Sequence, residues 1–438
     1  MRPSPVCRCI TLADLYRFQV VSDPQVSPAG DRIAFVLSRT ITDEDHEMSS
    51  IWLYDRMLDE VRPLTSGPQD TSPRWAPDGA RLAFLSDRPG SGAGAERAGE
   101  GRPQVFVIHI NGGEALQVTA DLQQIGDLQW SPAGERLVVV AAALEPEPST
   151  VFLRKALGSA GASADSSGSG MADDVSRRQK STGLRVYNRV KYRFDGVGYY
   201  DDRRRHLFLI DLPVPPEPKS IDQPADGHIR QLTSGLYDVQ AFDWHPDGRQ
   251  IAFLANRRAD ADFSSSVDGW QVDAAGGGET LKLFDFPGRL SSLSWSPDGR
   301  RLALIGSGSD HSAVENDLWL FDVTAGAIAD VTMSFDRPVG GGLASDVRKA
   351  AATVKPAWHD GGEIVYFPVL DRGNVSAYAA HLRGLAECEL QDLLPGRTGA
   401  VSDVQFGGGS LWFLADDPTH PVELWELPVS ETPGQSRA

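Results

Sequence analysis

The sequence predicts an all-β protein. It is expected to be a seven-bladed β-propeller of four-stranded antiparallel blades, with a short N-terminal helix and a last blade one strand short. Three observations carry this. One corner sequence recurs seven times along the 438 residues. Each corner is followed by further β-prone runs, making units of about 50 residues, the spacing of propeller blades. The closing run of the unit is found six times rather than seven.

The corner has the form Trp-x-Pro-x-Gly. It is complete in RWAPDG (Trp75, Pro77, Gly79), QWSPAG (Trp130, Pro132, Gly134), DWHPDG (Trp244, Pro246, Gly248) and SWSPDG (Trp295, Pro297, Gly299). QVSPAG, with Pro28 and Gly30, lacks the Trp. AWHDGG around Gly361 and VQFGGG around Gly408 are weaker copies. Proline fixes φ at the first corner of a turn, and glycine accepts the left-handed conformation that reverses the chain into a hairpin. The Trp ends the preceding strand and offers a broad face for packing. His245 and His359 fall inside corners and read as turn residues.

After each corner comes an apolar run such as IAFVL, LAFL or LALI. These runs do not alternate with polar residues, so both faces of the strand should be buried, as in stacked sheets. The third-strand set is SIWLYD (50–55), QVFVIHI (104–110), HLFLIDL (206–212), WQVDAA (270–275), LWLFDV (318–323), SAYAAHL (376–382) and ELWELPV (423–429). The fourth-strand set is VRPLTSG (61–67), ALQVTAD (115–121), IRQLTSG (229–235), TLKLFDF (280–286), IADVTMS (328–334) and LQDLLPG (390–396). After ELWELPV follows SETPGQSRA, polar and a poor strand.

The remaining segments fix the domain organisation. Residues 1–20 form an N-terminal segment in which TLADLYRF (Thr11–Phe18) reads as a short helix, with Thr11 as N-cap and Asp14 three positions on. The propeller spans 21–429. Residues 158–181, small, polar and Gly/Ser-rich, read as a flexible insertion in blade 3. Residues 430–438 read as a disordered tail. A helical N-terminus does not supply the missing strand, so the expectation is a chain cut after blade 7.

Composition excludes several function classes. The net charge of −18 offers no basic face to a nucleic acid, and the Arg203-Arg204-Arg205 run is too short to change that. Cys7, Cys9 and Cys388 do not make a disulfide framework and read as free thiols. The N-terminus has no apolar core of signal-peptide length, and no run reaches membrane-helix length. The expected compartment is cytoplasmic, with no membrane partner. No metal or cofactor is expected. His46 in DEDHE has no second histidine at ligand spacing, and DADADF (Asp260, Asp262) lacks the glycine and distal glutamate of a calcium loop. The glycine triplets 276–278, 340–342 and 407–409 are not followed by Lys-Ser/Thr, so they are turns and not phosphate loops. The best functional candidates lie in KYRFDGVGYYDD, where Lys191, Tyr192, Arg193, Asp195, Tyr199 and Tyr200 put cations beside aromatics. Such a loop can fix a charged ligand terminus by charge-assisted hydrogen bonds while an aromatic face packs a side chain, or it can be structural, shaping a rim or a contact with another domain.

Several stretches together resemble the acylaminoacyl-peptidase-type branch of the prolyl oligopeptidase family. They are TLADLYRFQVVSDPQVSPAGDRIAFV, SPRWAPDGARLAFLSDR, the block RVYNRVKYRFDGVGYYDDRRRHLFLIDL and the QLTSG strand ends. The resemblance runs from about Leu12 to about Val429. The corner alone is shared with TolB-like propellers; the opening segment and the block Arg185–Leu212 are more specific. The resemblance implies an N-terminal propeller over a C-terminal α/β-hydrolase domain, admitting short peptides to a Ser-Asp-His triad. One departure is decisive. The nucleophile elbow needs G-x-S-x-G, and GSGAG and GSGSD carry glycine where the serine should be. No triad residue is therefore carried over. The expectation is a non-catalytic propeller portion that gates and orients short peptides for a hydrolase domain, in cis or in trans. The alternative is a stand-alone TolB-like or WD40-like scaffold that binds a protein partner.

Overall fold

The structure is a computed structural model that describes residues 11–41, 46–88, 102–120, 122–144, 189–194, 198–199, 203–212, 228–276, 279–311, 313–344, 349 and 354–429. Seven antiparallel sheets follow one another along the chain: residues 19–63, 71–117, 128–231, 239–284, 289–330, 357–392 and 400–428, here blades 1 to 7. Blades 1 to 6 have four strands. Blade 7 has three among the described residues, ending on His420–Pro428. A separate two-stranded hairpin, Arg193–Phe194 with Gly198–Tyr199, lies between the second and third strands of blade 3. The insertion 158–181 lies outside the described residues.

The N-terminal helix is shorter than Thr11–Phe18. It covers Leu12–Leu15, one turn. The Thr11 N–H donates to Asp14 Oδ2 at 2.8 Å, and the Arg17 N–H bonds back to the Asp14 carbonyl, a tight final turn. The chain then extends into Gln19–Val26.

Six corners share one geometry. In blade 5 the Gly299 N–H donates to the Ser296 carbonyl and the Ser296 N–H to the Arg301 carbonyl, both near 2.9 Å. Gly299 has φ +70°. The same pair of bonds recurs at Gly30, Gly79, Gly134, Gly248 and Gly362. In blade 6 the left-handed residue is Gly362, so Asp360 stands in the proline position. Blade 7 reverses through the two-residue loop Gly408-Gly409, between the paired Gly407 and Ser410.

The core lies between blades. In the second strand of blade 3, Leu137, Val139 and Ala141 pack with blade 2, whereas Val138 and Val140 pack with blade 4. Further clusters fill the junctions 1/2, 4/5, 5/6 and 6/7. Burial on both faces is why these runs lack alternation.

The outer strands end in a recurring staple. In blade 1 the Leu64 N–H donates to the Ile51 carbonyl, and Thr65 Oγ1 accepts from the Ile51 N–H. The same double link joins Val118-Thr119 to Val105, Leu232-Thr233 to Leu207, and Val331-Thr332 to Leu318. The threonine continues the ladder one bond past the strand and satisfies a buried N–H.

Candidate functional site

The innermost strands surround the propeller axis. The residue just before the corner aromatic is polar in most blades, and in four it reaches the next blade's inner strand. Arg74 pairs with Asp127 at 3.0 Å, and also with Asp23 of blade 1 at 2.9 Å. Gln129 donates to the Phe242 carbonyl at 3.2 Å. Asp243 accepts from the Trp295 N–H at 2.7 Å. Gln405 accepts from the Val26 N–H and donates to the Pro24 carbonyl, joining blade 7 to blade 1. Burial alone would lower the Arg74 pKa, but the two carboxylates outweigh it and raise it. The corner tryptophans add a second set of links. Trp75, Trp130 and Trp358 donate from Nε1 to the carbonyls of Gln25, Arg74 and Ser294 in the preceding blades.

Two lysines of the segment between blades 5 and 6 reach well apart. Lys349 donates to Ser38 Oγ at 2.9 Å and pairs with Glu47, both in blade 1. Lys355 Nζ lies 2.6 Å from Asp243 Oδ1 in blade 4. Blades 1 and 4 are three steps apart on a ring of seven.

The candidate loop of blade 3 leans on blade 4. Lys191 Nζ donates to the carbonyls of Ala261 and Ser264 at 3.1 and 2.6 Å, and Arg189 pairs with Asp262 at 3.0 Å. The Lys191 ammonium is thus an anchor for the loop. Beyond it, Tyr192 and Tyr199 stack with ring centres 6.5 Å apart, and the Arg193 guanidinium lies 5.3 Å from the Tyr199 ring centre. All three are exposed. Asp195 and Tyr200 lie outside the described residues. The structure brings together Lys191, Tyr192, Arg193 and Tyr199, on the face of the propeller opposite the corners.

Sequence reasoning did not single out Arg74, Asp243, Lys355 or Arg257. The signal for the first two was present: a polar residue at one fixed motif position in successive blades. Among the described residues no group of three or more His, Cys, Asp or Glu is placed to hold a metal ion, and no helix is long and apolar enough to cross a membrane. Cys388 is free, half-buried, and its thiol pKa is raised by burial and by Asp330.

The propeller of the trilobed protease from Pyrococcus furiosus, described as having an open velcro topology, matches 93% of this chain with 95% of its own length, at a TM-score of 0.56 and 15% identity. The shared fold is the β-propeller. An acylaminoacyl peptidase from Pyrococcus horikoshii matches 94% of this chain at a TM-score of 0.61 and 17% identity, over 52% of that protein. In sequence, an uncharacterized peptidase of Bacillus subtilis, YuxL, is 26% identical over 429 residues, 97% of this chain. The chain spans 58% of that relative and about half of the acylaminoacyl peptidase. No family model matches the chain. The resemblance read from the opening segment and the Arg185–Leu212 block is thus met by similar peptidases in both sequence and structure. Among the described residues, this propeller brings its first and last blades together without pairing a strand between them.

Proposed function

We propose that this chain is the non-catalytic propeller portion of a serine peptidase. In this reading it admits short peptides and orients them for an α/β-hydrolase domain supplied in cis or in trans. The observation that carries it is the match over 97% of this chain to a peptidase of which it spans 58%. The absence of G-x-S-x-G supports placing the chemistry outside this sequence. The exposed Tyr192, Arg193 and Tyr199 are the residues proposed to touch the peptide, with Lys191 as the anchor that presents them. Asp195 and Tyr200 are proposed for the same loop from sequence alone.

The test is direct. The purified chain should show no turnover of acyl-peptide or aminoacyl chromogenic substrates, while binding a hydrolase domain prepared from the remaining part of a similar peptidase. Turnover by the chain alone, sensitive to a serine-directed inhibitor, would overturn the proposal.

A further inference from the structure

We infer that the pocket at the rim of blades 3 and 4 is a binding site for a carboxylate, with Arg257 as the residue that contacts it. The cavity is about 270 Å³ and is lined by Ser234, Gly235, Leu236, Tyr237, Arg257 and Arg258. It is formed by the linker from blade 3 to blade 4 and by the loop after the second strand of blade 4.

Arg257 is held as a rigid fork. Its guanidinium carbon lies 4.7 Å from the Tyr237 ring centre and 4.1 Å from that of Trp270. One end donates to Thr280 Oγ1. Its carbon sits over two aromatic rings, and the N–H donors not used by Thr280 form a planar fork that suits the two coplanar oxygens of a carboxylate. The cation–π contacts also reduce the side-chain entropy that binding must remove.

The opposite wall is pinned from below. His206 is fully buried, with Nε2 3.1 Å from the Gly235 carbonyl and Nδ1 3.1 Å from Thr233 Oγ1. A carbonyl only accepts, so Nε2 donates to Gly235, while Nδ1 shares a hydrogen bond with the Thr233 hydroxyl. The same ring meets Tyr237 edge-on, with centres 5.2 Å apart. Leu236, 64% exposed, supplies an apolar side to the opening.

The charge balance selects a monoanion. Arg258 is matched by Asp268, and Lys282 by Asp268 and Asp285. Arg257 has no carboxylate among its partners in the described residues. Arg257 is exposed, and one cation without a carboxylate partner at an open, partly apolar rim balances a singly charged carboxylate and leaves a doubly charged phosphate half unmatched. That carboxylate can belong to a small organic acid or to the C-terminus of a short peptide.

The experiment is calorimetry on the full chain with benzoate, an N-acetyl dipeptide acid, the matching dipeptide amide, and inorganic phosphate. Expected is 1:1 binding of benzoate or of the dipeptide acid, none of the amide, and a loss of about tenfold or more in affinity in Arg257→Gln. Arg257→Lys should lose a similar factor, because it keeps the charge and removes the fork. Leu236→Glu, which offers the pocket its own carboxylate, should block binding and remains informative if an Arg257 variant does not fold. Tighter binding of the dipeptide acid points to peptide termini, and tighter binding of benzoate to free acids; either supports the site. Binding of phosphate in preference to both acids, affinity unchanged in Arg257→Gln, or no binding of either acid overturns it.

Discussion

Gln405 of blade 7 grips the main chain of blade 1 beside Val26. Its side-chain oxygen accepts from the Val26 N–H at 3.0 Å, and its nitrogen donates to the Pro24 carbonyl at 2.6 Å. An amide side chain here copies the two bonds that a paired strand would make. Around it the Tyr54 and Trp412 rings meet at 6.3 Å, and Arg56 pairs with Glu426. The ring is therefore closed by side chains contributed from opposite ends of the sequence.

Gln405→Ala removes both bonds and leaves the Val26 N–H and Pro24 carbonyl without them. The expected cost is about 1–3 kcal/mol. Amide hydrogen exchange should quicken first at Val26 and its neighbours in blades 1 and 7. Unchanged protection at Val26 would falsify this account of closure.

Gly30→Ala should be far more damaging than Gly326→Ala. Both glycines have positive φ, +69° and +60°. A Cβ on Gly30 would fall 2.3 Å from the Gly408 Cα, whereas one on Gly326 meets nothing within 4 Å. Gly326→Ala is expected to cost about 1 kcal/mol of backbone strain, and Gly30→Ala several times that. Denaturant midpoints of the two variants provide the comparison.

The threonine staples supply a graded series. Thr65→Val should cost about 1 kcal/mol, since the Ile51 N–H loses its acceptor. Thr233→Val should cost more, because Thr233 serves both the Leu207 N–H and His206 Nδ1. Equal losses at the two positions would argue against the His206 network.

Asp317 gives a pH signature. Burial, with Asp330 nearby, pushes its pKa up from 3.8 to about 6. The folded state therefore holds a proton between these values that the unfolded state has released. This group's contribution to stability falls as pH rises through that window. Asp317→Asn should raise the melting temperature at pH 7 and flatten its fall between pH 4 and 6. Asp268 acts oppositely. Burial would raise its pKa, but Arg258, the Phe286 N–H and Lys282 hold it down, so its stabilisation is lost on acidification.

Much of this architecture was legible in the sequence because blade geometry is local. Pro297 and Gly299 sit in the hairpin they specify, and Leu64-Thr65 ends the strand it staples. The single turn at Leu12–Leu15 fell short of the Thr11–Phe18 reading because the tight final turn ends the helix and the chain extends from Gln19. The contacts that were not legible are long-range. Gln405 lies 379 residues from Val26, and Arg257 becomes a fixed fork only when Tyr237 and Trp270 fold against it. Lys191 read as a cation free to meet a ligand. Its partners, Ala261 and Ser264, are main-chain carbonyls, and nothing in a sequence marks a carbonyl as an acceptor in waiting.

The approach of Gly30 to Gly408 works as a gauge. Two backbones can touch there only if the wedge angles of all seven blades add up to a full circle. A swelling at any blade junction, such as a larger side chain at Ala141 or Ala303, rotates every later blade and accumulates at this point. Errors of packing made far away are thus collected at one place and measured against a gap too narrow for a methyl group.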